Sequence, residues 1–328
     1  MSQIIDQFNR SVEYLRLSVT DRCDFRCVYC MSEDPEFLPR DHVLSLEELS
    51  WIAQAFTEMG VKKIRLTGGE PLVRSDCDHL VASLGKLPGL EDLSMTTNGS
   101  RLSKLAQPLF DSGLKRLNIS LDTLNPELFT QLTRNGKLER VVAGIDAAIA
   151  AGFTKIKINA VILRGQNDHE VIDLVNFCRE RNLDIAFIEE MPLGVMDERK
   201  QSRHCSSAEV REIIEQAYTL VPSSKRTGGP ARYYQMPDSQ THIGFISPHS
   251  NNFCHECNRV RVTVEGRLLL CLGNENSVDL KTIVREHPGD IDKLKQAILE
   301  GIKRKPKEHH FGKTDEVQVL RFMNATGG

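Results

Sequence analysis

Residues 21–31 read Asp-Arg-Cys-Asp-Phe-Arg-Cys-Val-Tyr-Cys-Met and contain three cysteines, Cys23, Cys27 and Cys30, at a C-x3-C-x2-C spacing. Thiolates are soft ligands that select iron–sulfur clusters, zinc or copper(I). A closed structural zinc site takes four ligands, whereas this loop offers three, with no Cys or His in the next ten residues. The spacing therefore favours a 4Fe-4S cluster with one iron open to a substrate or cofactor. A zinc loop whose fourth ligand comes from elsewhere is the alternative.

A second group of three cysteines lies towards the C-terminal end, at Cys254, Cys257 and Cys271. The Glu-Gly pair at 265–266 separates two alternating apolar runs, residues 259–264 and 267–272, and predicts a hairpin turn. Such a hairpin folds Cys271 back beside Val260 or its neighbour, within reach of the other two thiols. The pattern predicts a second three-thiolate cluster site.

Two other interpretations apply to this second region. His249 or His255 could complete a zinc site with the same thiols. Arg259 and Arg261 share one face of the first predicted strand, where two neighbouring guanidinium groups suit a polyphosphate. For the arginines, the competing interpretation is an ordinary solvated strand face.

The composition is that of an ordinary globular protein of 328 residues, 40% hydrophobic and 27% charged, with a formal net charge of −3. This length accommodates one large α/β domain plus an appendage, or two domains. The charge balance gives no electrostatic basis for binding nucleic acid or an anionic membrane. No apolar run approaches the roughly 18 residues of a membrane helix, and charges at Asp6, Arg10, Glu13 and Arg16 exclude a signal-peptide core. We therefore expect neither a nucleic-acid partner nor a membrane.

Cysteine usage predicts the compartment. Nine cysteines is an odd number, and six of them fall into the two groups described above. Without a secretory signal, this pattern favours metal binding under reducing conditions over disulfides, and hence a cytoplasmic protein.

Strand and helix patterns alternate regularly through the first 190 residues. The first predicted helix begins at a capping box formed by Ser45 and Glu48 and ends at Gly60. This rhythm favours a parallel α/β architecture. The predicted strands are Tyr14–Val19, Lys63–Thr67, Asp92–Thr96, Arg116–Leu121, Lys155–Leu163 and Asp184–Glu189.

Polar and apolar residues alternate in five of these six strands. Parallel strands covered on both faces are almost continuously apolar, so the alternation indicates that one face of each strand meets a wet interior. Edge strands with a solvated face would explain one or two cases but hardly five. We predict a partial (β/α)6 TIM-like barrel whose reactive end lies at the C-terminal ends of the strands. The inward polar sets are Arg16 and Ser18; Lys63, Arg65 and Thr67; Ser94 and Thr96; Arg116, Asn118 and Ser120; Lys157 and Asn159.

The regular alternation of strand and helix patterns ends after Glu190, and from about Gln235 the chain is richer in short strands. We predict two parts. Residues 1–234 form the partial barrel with the first cluster, and residues 235–328 form a smaller strand-rich region with the second cluster and the arginine pair.

Several motifs together resemble one family over essentially the whole chain. They are the Cys loop, Gly-Gly-Glu-Pro at 68–71, Cys254-x2-Cys257-x13-Cys271, Arg259-x-Arg261 and the final Gly327-Gly328. Gly-Gly-Glu-Pro alone is weak, but the combination is highly specific. The family is the GTP 3′,8-cyclase of molybdenum-cofactor biosynthesis (MoaA type), whose members are radical S-adenosylmethionine enzymes.

The resemblance implies a role for each matching residue. Cys23, Cys27 and Cys30 would hold a 4Fe-4S cluster whose open iron chelates the methionyl amine and carboxylate of S-adenosylmethionine. Gly69 would approach that methionyl group, where a Cβ would get in the way. The positions that match other cofactor contacts are Tyr29, Ser120 and Met191.

On the substrate side, Cys254, Cys257 and Cys271 would hold a second 4Fe-4S cluster, whose open iron binds the guanine base of GTP. The positions that match GTP contacts are Arg16, Arg65, Thr96, Lys157, Arg259 and Arg261. Catalytic roles are implied for Arg16, Arg259 and Arg261, and for the Gly327-Gly328 tail, which reaches into the active site in the family. The first four of the six GTP positions belong to the inward polar sets inferred from alternation.

The implied activity is radical conversion of GTP to (8S)-3′,8-cyclo-7,8-dihydroguanosine 5′-triphosphate. The implied partners are GTP, a reducing protein or small-molecule electron donor, the cyclic pyranopterin monophosphate synthase that receives the product, and a second copy in a homodimer. One rival is a radical S-adenosylmethionine enzyme that modifies a peptide, although such enzymes usually carry more C-terminal cysteines. Another is a zinc protein that binds RNA, which would need a basic surface or more aromatics than the 6% present.

Overall fold

A computed structural model describes residues 3–191, 203–248, 250, 253–274, 276–309 and 321–327. The six predicted strands of the first part are present, each within two residues of its expected ends. Neighbours among them pair in parallel and in sequence order. They are β1 (Tyr14–Ser18), β2 (Lys63–Thr67), β3 (Asp92–Thr97), β4 (Arg116–Ser120), β5 (Ile156–Ile162) and β6 (Asp184–Glu189).

Helices follow the strands, as the alternation predicts. The capping boxes of Ser45 with Glu48 and of Ser206 with Glu209 begin the first and last of them. A short helix after β4, capped by Asn125, was missed because Pro126 at its first turn is also typical of a loop. These helices are α1 (Leu46–Glu58), α2 (Cys77–Leu84), α3 (Leu102–Asp111), α4 (Pro126–Thr133), α5 (Leu138–Ala150), α6 (Val171–Glu180) and α7 (Ser207–Glu215).

The C-terminal part adds strands to both ends of this sheet. The described strands form one sheet in the order β12-β11-β10-β1-β2-β3-β4-β5-β6-β9-β8-β7. Strand β10 runs parallel to β1, and β9 runs parallel to β6. The added elements are β7 (Val221–Pro222), β8 (Arg232–Gln235), β9 (His242–Ile246), β10 (Arg259–Val262), β11 (Arg267–Leu269), β12 (Ser277–Asp279), α8 (Leu280–Glu286), α9 (Ile291–Ile302) and α10 (Met323–Thr326).

The boundary predicted after residue 234 falls inside β8, and strands from both sides of it share the sheet. The division into parts 1–234 and 235–328 stays a prediction.

Polar and apolar residues alternate along these strands because successive side chains lie on opposite faces of the sheet. Leu15, Leu17, Ile64 and Leu66 are fully buried in the core that the helices cover. The polar residues between them point into a cavity on the other face. The edge-strand alternative is wrong for these five strands, because each has a hydrogen-bonded neighbour on both sides. The predicted partial barrel is therefore confirmed.

The predicted hairpin is also confirmed. Strands β10 and β11 pair antiparallel, with Arg261 opposite Leu269 and Val262 opposite Leu268. Continuing the same register places Cys271 opposite Arg259, the neighbour of Val260. Gly266 in the turn has φ +80°, which explains why glycine stands there.

None of the helices in the described part of the chain is long and apolar enough to cross a membrane.

Close packing of α3 against α5 depends on Gly144. A Cβ added there would lie 2.3 Å from Gly99 O and 3.1 Å from Leu102 Cβ. Alanine gains about 1 kcal/mol of helix propensity over glycine. Overpacking costs about 1–3 kcal/mol, and here the obstacle is backbone that has little room to move.

We expect Gly144→Ala to lower the midpoint of urea unfolding, because the clash outweighs the gain in propensity. Arg140→Ala, on the exposed side of the same helix, is the matched control and should leave the midpoint nearly unchanged. A Gly144→Ala protein at least as stable as the parent would contradict this account of the α3–α5 contact.

Candidate active site

Both cysteine groups open into one cavity of about 320 Å³ on the polar face of the sheet. The Cys loop follows the C-terminal end of β1. Cys257 precedes the N-terminal end of β10, and Cys271 follows the antiparallel strand β11. Because β1 and β10 are parallel neighbours, the two cysteine groups lie at opposite ends of the same strands.

The Cys loop is held by hydrogen bonds to its own backbone and to the turn after β3. Phe25 N donates to Cys23 Sγ over 3.3 Å. Asn98 Nδ2 donates to Asp24 Oδ1 over 2.7 Å and approaches Cys23 Sγ at 3.8 Å. Burial, with a smaller contribution from Glu70, raises the pKa of Cys23 to about 12. Burial raises the pKa of Cys30 to about 12 as well, so these thiols release protons when a metal centre binds.

The Gly-Gly-Glu turn after β2 joins the Cys loop through its backbone. Gly69 N donates to Thr20 O, and Glu70 N donates to Arg22 O, each over 2.8 Å. A Cβ at Gly69 would lie 2.5 Å from Arg22 O and 2.7 Å from Asp21 O. The loop backbone therefore already requires glycine here, before any cofactor is considered.

The side chain of Glu70 joins the turn after β3 to the turn after β2. It is 1% exposed, and its carboxylate accepts hydrogen bonds from Leu72 N, Thr97 Oγ1 and Asn98 N. Burial outweighs these bonds and raises the pKa of Glu70 to about 7. The three turns that follow β1, β2 and β3 thus form one hydrogen-bonded unit.

Tyr29, between the last two cysteines, is anchored at the end of β4. Its hydroxyl donates to Asp122 Oδ2 over 2.6 Å, while Asp122 Oδ1 accepts from Val161 N over 2.8 Å. Burial raises the pKa of Asp122 to about 6. Ser120, two residues before this carboxylate, also lines the cavity.

The thiols of the second group also receive N–H donors. His309 N donates to Cys254 Sγ over 3.4 Å, and Lys305 Nζ lies 3.6 Å from Cys257 Sγ. Burial opposes ionisation of Cys257, but Lys305 and Arg259 outweigh it, so the pKa of Cys257 lies below its ordinary value.

Three arginines form a row between the two cysteine groups. Arg16 pairs in register with Arg261 on one side and with Arg65 on the other. Burial, then Arg261 and Arg65, lower the pKa of Arg16 well below its ordinary value. Burial, then Arg259, lower the pKa of Arg261 to about 10.

Lys157 adds a further buried cation on β5. Its side chain is 8% exposed, and Nζ lies 3.3 Å from Tyr233 OH. Burial, then Arg65 and Arg116, lower the pKa of Lys157 to about 7.

Several buried polar atoms on the cavity wall have no hydrogen-bond partner among the described residues. Buried polar groups are nearly always paired in folded proteins, so a set of them on one wall indicates a polar ligand. They are Tyr14 OH, Arg16 Nε, Thr67 Oγ1, Thr96 Oγ1 and Asn159 Oδ1.

The C-terminal segment lies against this same site. Met323 N donates to Cys30 O over 3.2 Å, and Arg261 Nη1 donates to Gly327 O over 2.9 Å. Gly327 has φ +80°, and a Cβ there would lie 2.7 Å from Thr67 Oγ1. Gly328, the last predicted site residue, lies outside the described residues.

The two thiol sets fit 4Fe-4S clusters. Each brings three soft donors to one end of the cavity and receives N–H groups on sulfur, which is typical of iron–sulfur sites. In the described part of the chain, no three His, Cys, Asp or Glu side chains converge on a point that would hold a single metal ion. His249, one of the zinc ligands considered, lies outside the described residues.

Comparison with known proteins places the chain in a family. The model for the Radical SAM superfamily matches residues 17–178, and that for Molybdenum Cofactor Synthesis C matches residues 183–311. The GTP 3′,8-cyclase of Pseudomonas entomophila strain L48 is 59% identical over 327 residues, which cover 99% of this chain and 98% of that protein. The GTP 3′,8-cyclase of Pseudomonas putida strain W619 matches to the same extent. This chain belongs to the GTP 3′,8-cyclase family.

Solved structures support the same fold. Streptococcus suis SuiB bound to S-adenosylmethionine superposes with a TM-score of 0.64 at 18% identity, covering 97% of this chain and 79% of that one. A second structure of SuiB gives a TM-score of 0.66 at 18% identity, covering 96% of this chain and 78% of the other. At this identity the likeness concerns the fold alone. Membership in the GTP 3′,8-cyclase family agrees with the resemblance found in the sequence. It excludes the two rivals, a zinc protein that binds RNA and a peptide-modifying enzyme.

The structure brings nearly all residues implied by the family resemblance to one cavity. Gly327 contacts this wall through Arg261 and Thr67. The roles assigned to individual residues stay predictions. Of the residues implied by the resemblance, those that line the cavity are Arg16, Cys23, Cys27, Tyr29, Cys30, Arg65, Gly69, Thr96, Ser120, Lys157, Met191, Cys254, Cys257, Arg259, Arg261 and Cys271.

Other cavity residues were given no role from the sequence. Tyr14 and Asp122 each lie two residues from a predicted inward residue, so the period-two pattern could have found them. Glu70 belongs to the Gly-Gly-Glu-Pro motif, but only its neighbour Gly69 was given a role. Tyr233 and Lys305 carry no sequence signal, because their burial depends on contacts far away in the chain.

We expect Gly69→Ala to reduce the iron bound at the Cys loop, because a Cβ would push the backbone of Arg22 and Asp21 away. Iron and acid-labile sulfide per chain after anaerobic reconstitution measure this loss, about half of the total if the other site is intact.

Gly229→Ala is the matched control. Gly229 also lines the cavity, but the nearest atom to an added Cβ is Thr227 Oγ1 at 3.7 Å. A Gly69→Ala protein with full iron content would show that the loop tolerates the contact and would refute this prediction.

Proposed function

We propose that this chain converts GTP to (8S)-3′,8-cyclo-7,8-dihydroguanosine 5′-triphosphate, the first step of molybdenum-cofactor biosynthesis. Its cofactors are two 4Fe-4S clusters and S-adenosylmethionine. One observation carries the proposal: two sets of three thiols line one cavity, with a row of arginines in register between them.

We assign the Cys-loop end of the cavity to S-adenosylmethionine. Cys23, Cys27 and Cys30 would hold the first cluster. When bound, this cluster and its cofactor would supply the radical chemistry that the reaction at C3′ of GTP needs. The residues that would position the cofactor are Tyr29, Gly69, Ser120 and Met191, and all four line this cavity.

We assign the other end to GTP. Cys254, Cys257 and Cys271 would hold the second cluster at the guanine base. A triphosphate carries several negative charges, which would offset the mutual repulsion of the arginine row and of Lys157. The contacts we assign are Arg16, Arg65, Thr96, Lys157, Arg259 and Arg261, each of which lines the cavity.

Catalysis by the chain itself consists of holding the reacting atoms and excluding water. Arg16, Arg259 and Arg261 lie where GTP would be fixed between the two cysteine groups. Gly327 O accepts a hydrogen bond from Arg261, which supports a role for the tail in orienting that guanidinium. We extend this role to the Gly327-Gly328 pair as a whole.

The reaction also needs partners. Because the radical is generated by reduction, we propose a reducing protein or a small-molecule donor as the electron source. We further propose that the product passes to the cyclic pyranopterin monophosphate synthase, and that the protein is a cytoplasmic homodimer. A reducing compartment would keep the six cluster thiols available.

The test is anaerobic turnover of the reconstituted, reduced protein with S-adenosylmethionine and GTP, followed by mass spectrometry. We expect 5′-deoxyadenosine together with a species of unchanged GTP mass that keeps the triphosphate. Cys23→Ala is the control and should abolish 5′-deoxyadenosine formation. If 5′-deoxyadenosine forms while GTP stays unchanged, the radical chemistry stands and the substrate assignment fails.

The buried Lys157 predicts a pH dependence of GTP binding. Its pKa of about 7 means that the ammonium form, which attracts phosphate, is present below that pH and is lost above it. A bound triphosphate would raise the pKa again, so binding takes up a proton at higher pH. We expect the affinity for GTP to fall between pH 7.5 and 9, by up to about tenfold per pH unit.

Equilibrium binding of GTP over this range measures the effect. Lys157→Arg is the control, because arginine keeps its charge throughout the range and should flatten the profile. The same slope in the Lys157→Arg protein would assign the proton to another group.

A further inference from the structure

The side chain of Lys305 is buried in an unusual way for a lysine. It follows α9 and is only 1% exposed, which places it among the largest fully buried side chains of the protein. Its neighbours Lys303 and Lys307 are exposed, so burial is specific to this position within a basic segment. Lysine is almost never fully buried without a partner of opposite charge.

The contacts of the ammonium join three parts of the second cysteine region. Lys305 Nζ donates to Leu270 O over 2.7 Å and to Arg259 O over 3.1 Å. The first carbonyl follows β11, and the second is on β10, so the ammonium ties the two strands of the hairpin. Its third contact is Cys257 Sγ at 3.6 Å.

These contacts do not neutralise the charge. Two carbonyls and a sulfur satisfy the three N–H donors, but the described residues place no carboxylate within ion-pair distance of Nζ. An uncompensated ammonium in the interior is unfavourable, because the protein interior solvates charge poorly. The anionic charge that this site lacks would be supplied by thiolates of the second cysteine group.

Arg10 provides an internal comparison. It is also buried beside the second cysteine group, where Nη1 donates to Cys254 O over 2.7 Å. Its charge, however, is balanced by Asp6, whose Oδ2 lies 2.6 Å from Nε. Arg10 also binds the carbonyls of Pro306 and Lys307, and so holds the segment that carries Lys305. Of these two buried cations, Lys305 contacts a thiol sulfur directly and Arg10 is paired with a carboxylate.

We propose that Lys305 is a positioning residue of the second cluster: its ammonium is the resident counter-charge of the three thiolates and favours the reduced state of the cluster. The inference rests on the second cluster assigned under the proposed function. A fixed positive charge beside a cluster stabilises the more negative, reduced form more than the oxidised form. Removing this charge therefore lowers the reduction potential, whereas a merely structural role would leave the potential unchanged.

The experiment measures the potential of the second cluster alone. A full-length background with Cys23→Ala, Cys27→Ala and Cys30→Ala removes the first cluster, and the remaining signal is followed by electron paramagnetic resonance during a redox titration. In this background we compare Lys305→Met, which keeps most of the length of the side chain without its charge, with Lys305→Arg, which keeps the charge. Lys307→Met is the matched control, because it removes the same charge from an exposed side chain two residues away.

We expect Lys305→Met to make reduction at least tenfold less favourable at a given potential, which corresponds to about 59 mV for one electron. Lys305→Arg should stay close to the parent, and Lys307→Met should not change. A Lys305→Met cluster with the potential of the Lys307→Met protein overturns the inference.

Iron content separates the remaining outcomes. A background protein that binds no iron refutes the second cluster itself, and with it this inference. If Lys305→Met loses iron while Lys305→Arg retains it, the charge is needed to hold the cluster, which supports the inference. If both variants lose iron, the site requires the shape of lysine rather than its charge, and the inference is overturned.

Discussion

Mutual repulsion among the cations that line the cavity is the constraint on which this site depends. The pairing of β1 with its two neighbours forces Arg16, Arg65 and Arg261 into one row. Burial and neighbouring guanidinium charges there lower the pKa of Arg16 and of Arg261. Lys157 adds to the same field from β5. Such an arrangement is stable only because a rigid sheet fixes it, and it is relieved when an anion enters. Stored repulsion of this kind is a form of preorganised binding.

The two ends of the cavity are built by different means. At the Cys-loop end, successive turns are fastened to one another by main-chain bonds and by the carboxylate of Glu70. At the opposite end, the β10–β11 hairpin and the segment after α9 lie around the thiols of Cys254, Cys257 and Cys271. The buried ammonium of Lys305 belongs to this segment. The turns of the first end carry recognisable sequence motifs, whereas the second end is closed by Lys305, which belongs to no motif.

This difference explains how much could be predicted from the sequence. Strand periodicity assigned Arg16, Arg65, Thr96 and Lys157 to one face, and the family resemblance selected them from the larger polar sets. The hairpin was found from its turn, and its register then placed Cys271. The docking of β10 beside β1 was not foreseen, because nothing local in either strand specifies its partner. Lys305 was missed for the same reason: Lys303, Arg304 and Lys307 around it are exposed, and only the fold buries it.

The pairing of β10 with β1 has a consequence for how the chain folds. Residues about 245 positions apart must meet before β1 has both of its neighbours, as the pair of Tyr14 with Arg259 illustrates. Contacts of such high sequence separation slow folding. Until β10 arrives, β1 is an open edge whose unpaired N–H and C=O groups can recruit another strand. An N-terminal fragment ending before β10 would therefore be prone to aggregate, although it contains the whole Cys loop.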